Sequence, residues 1–151
     1  YDTASLLATI HGLGQIAGVL TIPMASDYIG RRMTILLSNL CIAGCTAGIV
    51  LSGGSVVALF TSVGLLGAFF GATFPMYGAS GGDYFRKEIV GSVIGLLTFF
   101  YGVGAIVAHR FGGQVRDVTG SFSMPFAGAI LAAVLAALFM LFVGRKPREG
   151  E

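Results

Sequence analysis

At 151 residues, with 55% hydrophobic and only 11% charged residues and a net charge of +2, the chain lacks the polar coat that a water-soluble domain requires. Its basic side chains never gather into a patch with interleaved aromatics, so no nucleic-acid partner is expected. Cys41 and Cys45 lie one helical turn apart with no His or further Cys at metal-ligand spacing; they read as small packing residues, and neither a metal nor another cofactor is expected.

The first predicted element runs from about residue 4 to 25 without an Asp, Glu, Lys or Arg. A hydrocarbon core about 30 Å thick needs about 20 apolar residues of helix, so this run is long enough to cross a bilayer. Within it His11 and Gln15 stand one turn apart on one face. Polar groups are expensive in a spanning helix, which makes the pair a candidate donor and acceptor for a solute, with His11 also able to titrate near neutral pH. The alternative is that His11 only hydrogen-bonds a neighbouring helix.

A tight cationic hairpin, Asp27-Tyr28-Ile29-Gly30-Arg31-Arg32, follows. Gly30 permits the turn, Arg31 and Arg32 suit an anionic cytoplasmic surface, and Asp27 either caps a helix amino terminus or pairs with Arg31. From Met33 to Gly82 there is again no charge, over more than twice the length of one span. The run must fold back, and Ser52-Gly53-Gly54-Ser55 supplies the turn, giving spans over about 33–51 and 56–78. Pro75, near the end of the second of these, is expected to kink or end the helix. After a charged loop from Asp83 to Glu88 come a fourth span over about 89–108, a basic loop from Arg110 to Ser121, and a fifth span over about 122–143 built almost wholly of Ala, Leu, Val and Phe. Arg116 in that loop either draws anions or simply pairs with Asp117.

The fold class is therefore all-α: a polytopic membrane protein with about five transmembrane helices and the lipid bilayer as its partner. Small residues recur four apart at Gly14/Gly18, Gly44/Gly48, Gly67/Gly71, Gly91/Gly95 and Gly128/Ala132/Ala136, which predicts close helix packing on every helix. If the helices alternate, Arg31, Arg32, Arg86, Lys87, Arg145, Lys146 and Arg148 share one side and only Arg110 and Arg116 take the other. Basic residues are retained inside, so the 27–32 loop, the 83–88 loop and the carboxy terminus are expected in the cytoplasm, in a plasma or inner membrane. Asp27-x-x-Gly30 and Asp117-x-x-Gly120 then fall on opposite faces, the pattern of an inverted repeat. With no initiator Met and a span beginning almost at once, the chain reads as a fragment.

The spacing Gly18-x4-Pro23-x3-Asp27-x2-Gly30-Arg31-Arg32 resembles the loop signature of the major facilitator superfamily of transporters, and Phe111-Gly112-Gly113-x3-Asp117-x-Thr119-Gly120-Ser121-Phe122 resembles the loop between that family's last two helices. The resemblance implies helices eight to twelve of a twelve-helix bundle, its carboxy-terminal half, with the amino-terminal half as the missing partner. It also implies that the Gly18 to Arg32 signature works as a gate against that half; a plain topology anchor is the alternative. Family architecture puts Thr61, Thr98 and Tyr101 beside a central cavity, as further solute candidates with His11 and Gln15, and puts Asn39 at the periphery as packing glue. Gly82-Asp83-Tyr84-Phe85 with Gly91-x3-Gly95-Leu96-Leu97 and Tyr101-Gly102 is similar to the monocarboxylate transporters and oxalate/formate antiporters, although Val19 stands where those carriers usually have arginine. No Ser/His/Asp, Cys/His, paired-carboxylate or phosphate-loop layout is present, so no enzyme is expected. The function implied is secondary transport of a small solute by alternating access, with a monocarboxylate or other organic anion as the leading candidate. The alternatives are a neutral metabolite or drug carrier, or a non-transporting scaffold or channel subunit.

Overall fold

The computed structural model describes residues 2–144. These form five α-helices: α1 (Asp2–Ile29), α2 (Arg31–Leu51), α3 (Val56–Tyr84), α4 (Lys87–Thr119) and α5 (Ser123–Phe142). All five are long and apolar enough to cross a membrane, as expected from the charge-free runs. Arg145, Lys146 and Arg148, and with them the tail expected in the cytoplasm, lie outside the described residues.

The connections are shorter than the sequence implies. Between α1 and α2 only Gly30 leaves the helix, at φ 97° and ψ 136°, so Asp27 closes α1 and Arg31 opens α2 instead of sharing a loop. Gly53 and Gly54 turn the chain between α2 and α3 at φ 56° and 90°, and the Ser55 hydroxyl accepts a bond from the Ala58 amide at 3.4 Å to cap α3. Phe85 and Arg86 are extended and suffice to link α3 to α4. The expected basic loop from Arg110 to Ser121 is mostly helix, since α4 continues to Thr119. His and Arg are compatible with helix; the stop comes at Gly120, left-handed at φ 70°, whose amide reaches the Arg116 carbonyl at 2.7 Å. At 33 residues α4 is roughly 50 Å long, well beyond a bilayer core.

Pro75 does not end α3, which runs nine residues further to Tyr84. One missing donor is tolerated where neighbouring helices hold the segment, and Met76, next to the proline, is buried in the core between α2 and α3.

α1 lies along α3, and α2 is held between α3 and α5. The α1–α3 contact is backbone on backbone. A methyl group built on Gly14 would overlap the Gly64 carbonyl, one on Gly18 the Ala68 carbonyl, and one on Gly67 the His11 carbonyl, while Gly71 sits against the Cα of Gln15. In α2 a methyl on Gly48 would meet the Ser62 hydroxyl at 2.6 Å, but Gly44, Gly91, Gly95 and Gly128 face open space. Small pairs therefore draw helices together on α1, α3 and part of α2, not on every helix. The buried core, Ile35, Ala72 and Met76, sits between α2 and α3 with Ile22, Tyr77 and Met140 around it. Asn39 bonds the Ile35 carbonyl at 3.0 Å and the Tyr77 hydroxyl at 3.4 Å, joining α2 to α3. No described residue of α4 is buried.

Candidate functional site

Antiparallel helices bring the end of α1, the start of α2, the end of α3 and the end of α5 together at one end of the bundle. Arg31 is its centre. The guanidinium approaches Asp27 Oδ1 at 2.7 Å through one terminal nitrogen and donates from Nε to Asp83 Oδ2 at 3.0 Å. Its other terminal nitrogen donates to the buried Ser26 hydroxyl and to the Pro23 carbonyl at 3.3 Å. Planar, five-donor geometry is what lets one side chain serve two carboxylates on different helices. The Arg31 and Asp83 side chains are 23% and 28% exposed against 61% for Asp27, so the α2–α3 pair is the better shielded. Beside them lies an open cleft of about 570 Å³, lined by Ser26, Asp27, Arg31, Arg32, Asp83 and Tyr84 among others.

Arg32 does something else. It donates from Nε to the Met140 carbonyl at 2.8 Å and from a terminal nitrogen to the Leu141 carbonyl at 2.6 Å. The pairing of Asp27 with Arg31 was one of two options open in the sequence. The roles of Asp83, Ser26 and Tyr84 were not found there. The available signal was Asp83 itself, the first charge after a charge-free run.

The second signature, Asp117-x-x-Gly120, lies at the opposite end of the bundle. Both turns hold a positive-φ glycine whose amide bonds the carbonyl four residues back, Gly30 to Ser26 at 2.8 Å and Gly120 to Arg116 at 2.7 Å, but Gly30 has ψ 136° whereas Gly120 is left-handed at ψ 4°. The side chains differ. Asp117 makes no ion pair with Arg116 among the described residues; the Arg116 guanidinium lies over the Phe122 ring, 5.5 Å from its centroid.

The solute candidates do not converge on one cavity. His11 and Gln15 lie on the side of α1 that meets α3, where His11 Nδ1 is 3.4 Å from the Val63 carbonyl and its ring stands 6.2 Å from that of Phe70. Thr98 is exposed and donates to its own helix at the Ile94 carbonyl, 2.8 Å away; Thr61 is exposed. Tyr101 lines a pocket of about 190 Å³ between α3 and α4, with Thr73, Phe74, Tyr77, Gly78, Ile94 and Leu97, and its ring centroid is 6.0 Å from that of Phe74. Gly18 is buried against Ala68, and Val19 beside it is 41% exposed.

Fold and site together define a polytopic helical membrane protein with an ion-paired Asp-x-x-Gly-Arg-Arg turn. The chain belongs to the Major Facilitator Superfamily, whose model matches residues 1–151. It is 26% identical over 149 residues to the myo-inositol transporter FST1 of Gibberella moniliformis, covering 95% of this chain and 25% of that protein. Over 149 residues it is 24% identical to the high glucose sensor RGT2 of Saccharomyces cerevisiae, covering 95% of this chain and 19% of that protein. The chain thus spans a quarter or less of the length of these relatives. No solved structure matches it significantly.

Proposed function

We propose that the chain forms helices eight to twelve, the carboxy-terminal half, of a secondary transporter that moves a small solute by alternating access. Its Asp27–Arg31–Asp83 cluster acts as a cytoplasmic gate. One observation carries this reading: Arg31 is held from two helices at once, by Asp27 and Asp83, at the end where α1, α2 and α3 meet. Such contacts break and re-form without covalent chemistry, and each is worth about 1 kcal/mol when partly exposed, the scale on which two conformations exchange. The recurrence of Asp-x-x-Gly with a positive-φ glycine at opposite ends of the bundle, Gly30 and Gly120, supports an inverted repeat.

The solute is small, neutral and hydroxyl-bearing in this reading. The α3–α4 pocket is an apolar recess without a charged side chain, the Thr73 and Tyr77 hydroxyls being engaged with the Phe69 carbonyl and Asn39; what favours a neutral polyol is that α4 carries no Lys or Arg from Ile89 to Ala108 and that one relative is named as a myo-inositol transporter. A monocarboxylate is less well supported, because a carboxylate needs a cation and Val19 provides none.

Full-length protein in vesicles, offered labelled myo-inositol, glucose and lactate with and without a pH gradient, tests both parts. Uptake of the polyol or the hexose is expected. Uptake of lactate alone would restore the monocarboxylate, and uptake of none of the three would remove the solute assignment.

A further inference from the structure

Helix α5 stops at Phe142 on an extended Val143, φ −69° and ψ 124°, without the left-handed glycine that closes α4. The last carbonyls of a helix have no partner within it and must find donors elsewhere. Here those of α5 find them on α2, while α3 holds the chain just beyond the helix end. Arg32, on the first turn of α2, donates to Met140 and Leu141, and the Tyr84 hydroxyl, on the last turn of α3, donates to the Gly144 carbonyl at 3.2 Å. Arg32 follows Arg31 directly, and Tyr84 follows Asp83. The end of α5 therefore spans the same gap between α2 and α3 that the Arg31–Asp83 pair closes.

We propose that Arg32 and Tyr84 are positioning residues that make the end of α5 a second latch across this gap, in parallel with the ion pair. On the acceptor side it is built of backbone carbonyls, so it survives neutralisation of the carboxylates. Its donor is a guanidinium fork at the carbonyl end of a helix, where a cation is favoured by the helix dipole. The two adjacent arginines thus have separate tasks: Arg31 ties α2 to the carboxylates, and Arg32 ties α2 to α5. This latch stands whether or not the cluster gates transport.

The test measures the gap directly, in full-length protein in vesicles with Cys41 and Cys45 replaced by serine. Spin labels at Met33 and Phe85, both exposed, report the α2–α3 separation. Asp83→Asn alone should leave most of the distance distribution in its parent position. Asp83→Asn combined with Arg32→Gln, or with the milder Tyr84→Phe, should open the gap by more than the sum of the single changes. Arg32→Lys should fall between the parent and Arg32→Gln in the Asp83→Asn background, because the ammonium keeps the charge and its donors but not the guanidinium's two-nitrogen span. Full opening by Asp83→Asn alone, strictly additive changes, an unmoved gap in the double variants, or complete rescue by lysine would each overturn the proposal.

Discussion

Arg31 and Gly18 show how differently two residues of one signature contribute. Arg31 acts through donors: replacing it with lysine keeps the charge but loses the fork, so Arg31→Lys should destabilise the full-length protein, by about 1–3 kcal/mol if a charged hydrogen bond is lost, and Arg31→Ala by more, because the cation that both Asp27 and Asp83 meet is removed. Thermal unfolding in detergent would rank them. Asp27→Asn should cost under about 0.5 kcal/mol, since the carboxylate is largely exposed, yet slow transport if the cluster is a gate. Wild-type uptake by that variant would sink the gate. Gly18 acts through absence: Gly18→Ala drives a methyl into the Ala68 carbonyl, with rigid backbone on both sides, and should cost about 1–3 kcal/mol. Gly95→Ala meets nothing and should be neutral or gain up to about 1 kcal/mol of helix propensity. The small-residue spacing does not separate these two glycines, since each belongs to a pair four apart and only the facing helix differs.

At the scale of the helices, the turns carry the most specific expectation. Gly120 is left-handed at φ 70° and ψ 4°, a conformation asparagine also tolerates, whereas Gly30 at φ 97° and ψ 136° lies where only glycine is comfortable. Gly120→Asn should therefore preserve folding and expression, while Gly30→Asn should lower the melting temperature by an amount equivalent to about 1–3 kcal/mol of backbone strain. Equal effects at the two positions would show that the turns are not distinct in this way. The existence of both turns was legible from Asp-x-x-Gly; the lengths of the helices around them were not. Charge-free runs mark the apolar part of a helix, and α4 continues past Ala108 through His109, Arg110 and Arg116 because none of these stops a helix. Of the two outcomes open for Pro75, a kink or an end, the helix does not end there, since the sequence shows a lost donor but not the packing around α3.

Across the whole molecule the packing is uneven: α2 and α3 hold the core, and α4 has no buried residue. Met76, 1% exposed at the centre of that core, should cost about 2–5 kcal/mol when cut to alanine, read as a fall in melting temperature and in yield of monodisperse protein. What the sequence by itself determined is the class of protein, the five spans and the glycine turns, because a bilayer imposes requirements on run length and charge that are local and so are written in consecutive residues. Only the tertiary structure decided which glycines touch a neighbour, that Arg31 meets Asp83 at a separation of 52 residues, and that Arg32 meets α5 at a separation of 108. Those contacts depend on which helix stands beside which and in what register, and no periodicity within a single helix encodes its neighbour.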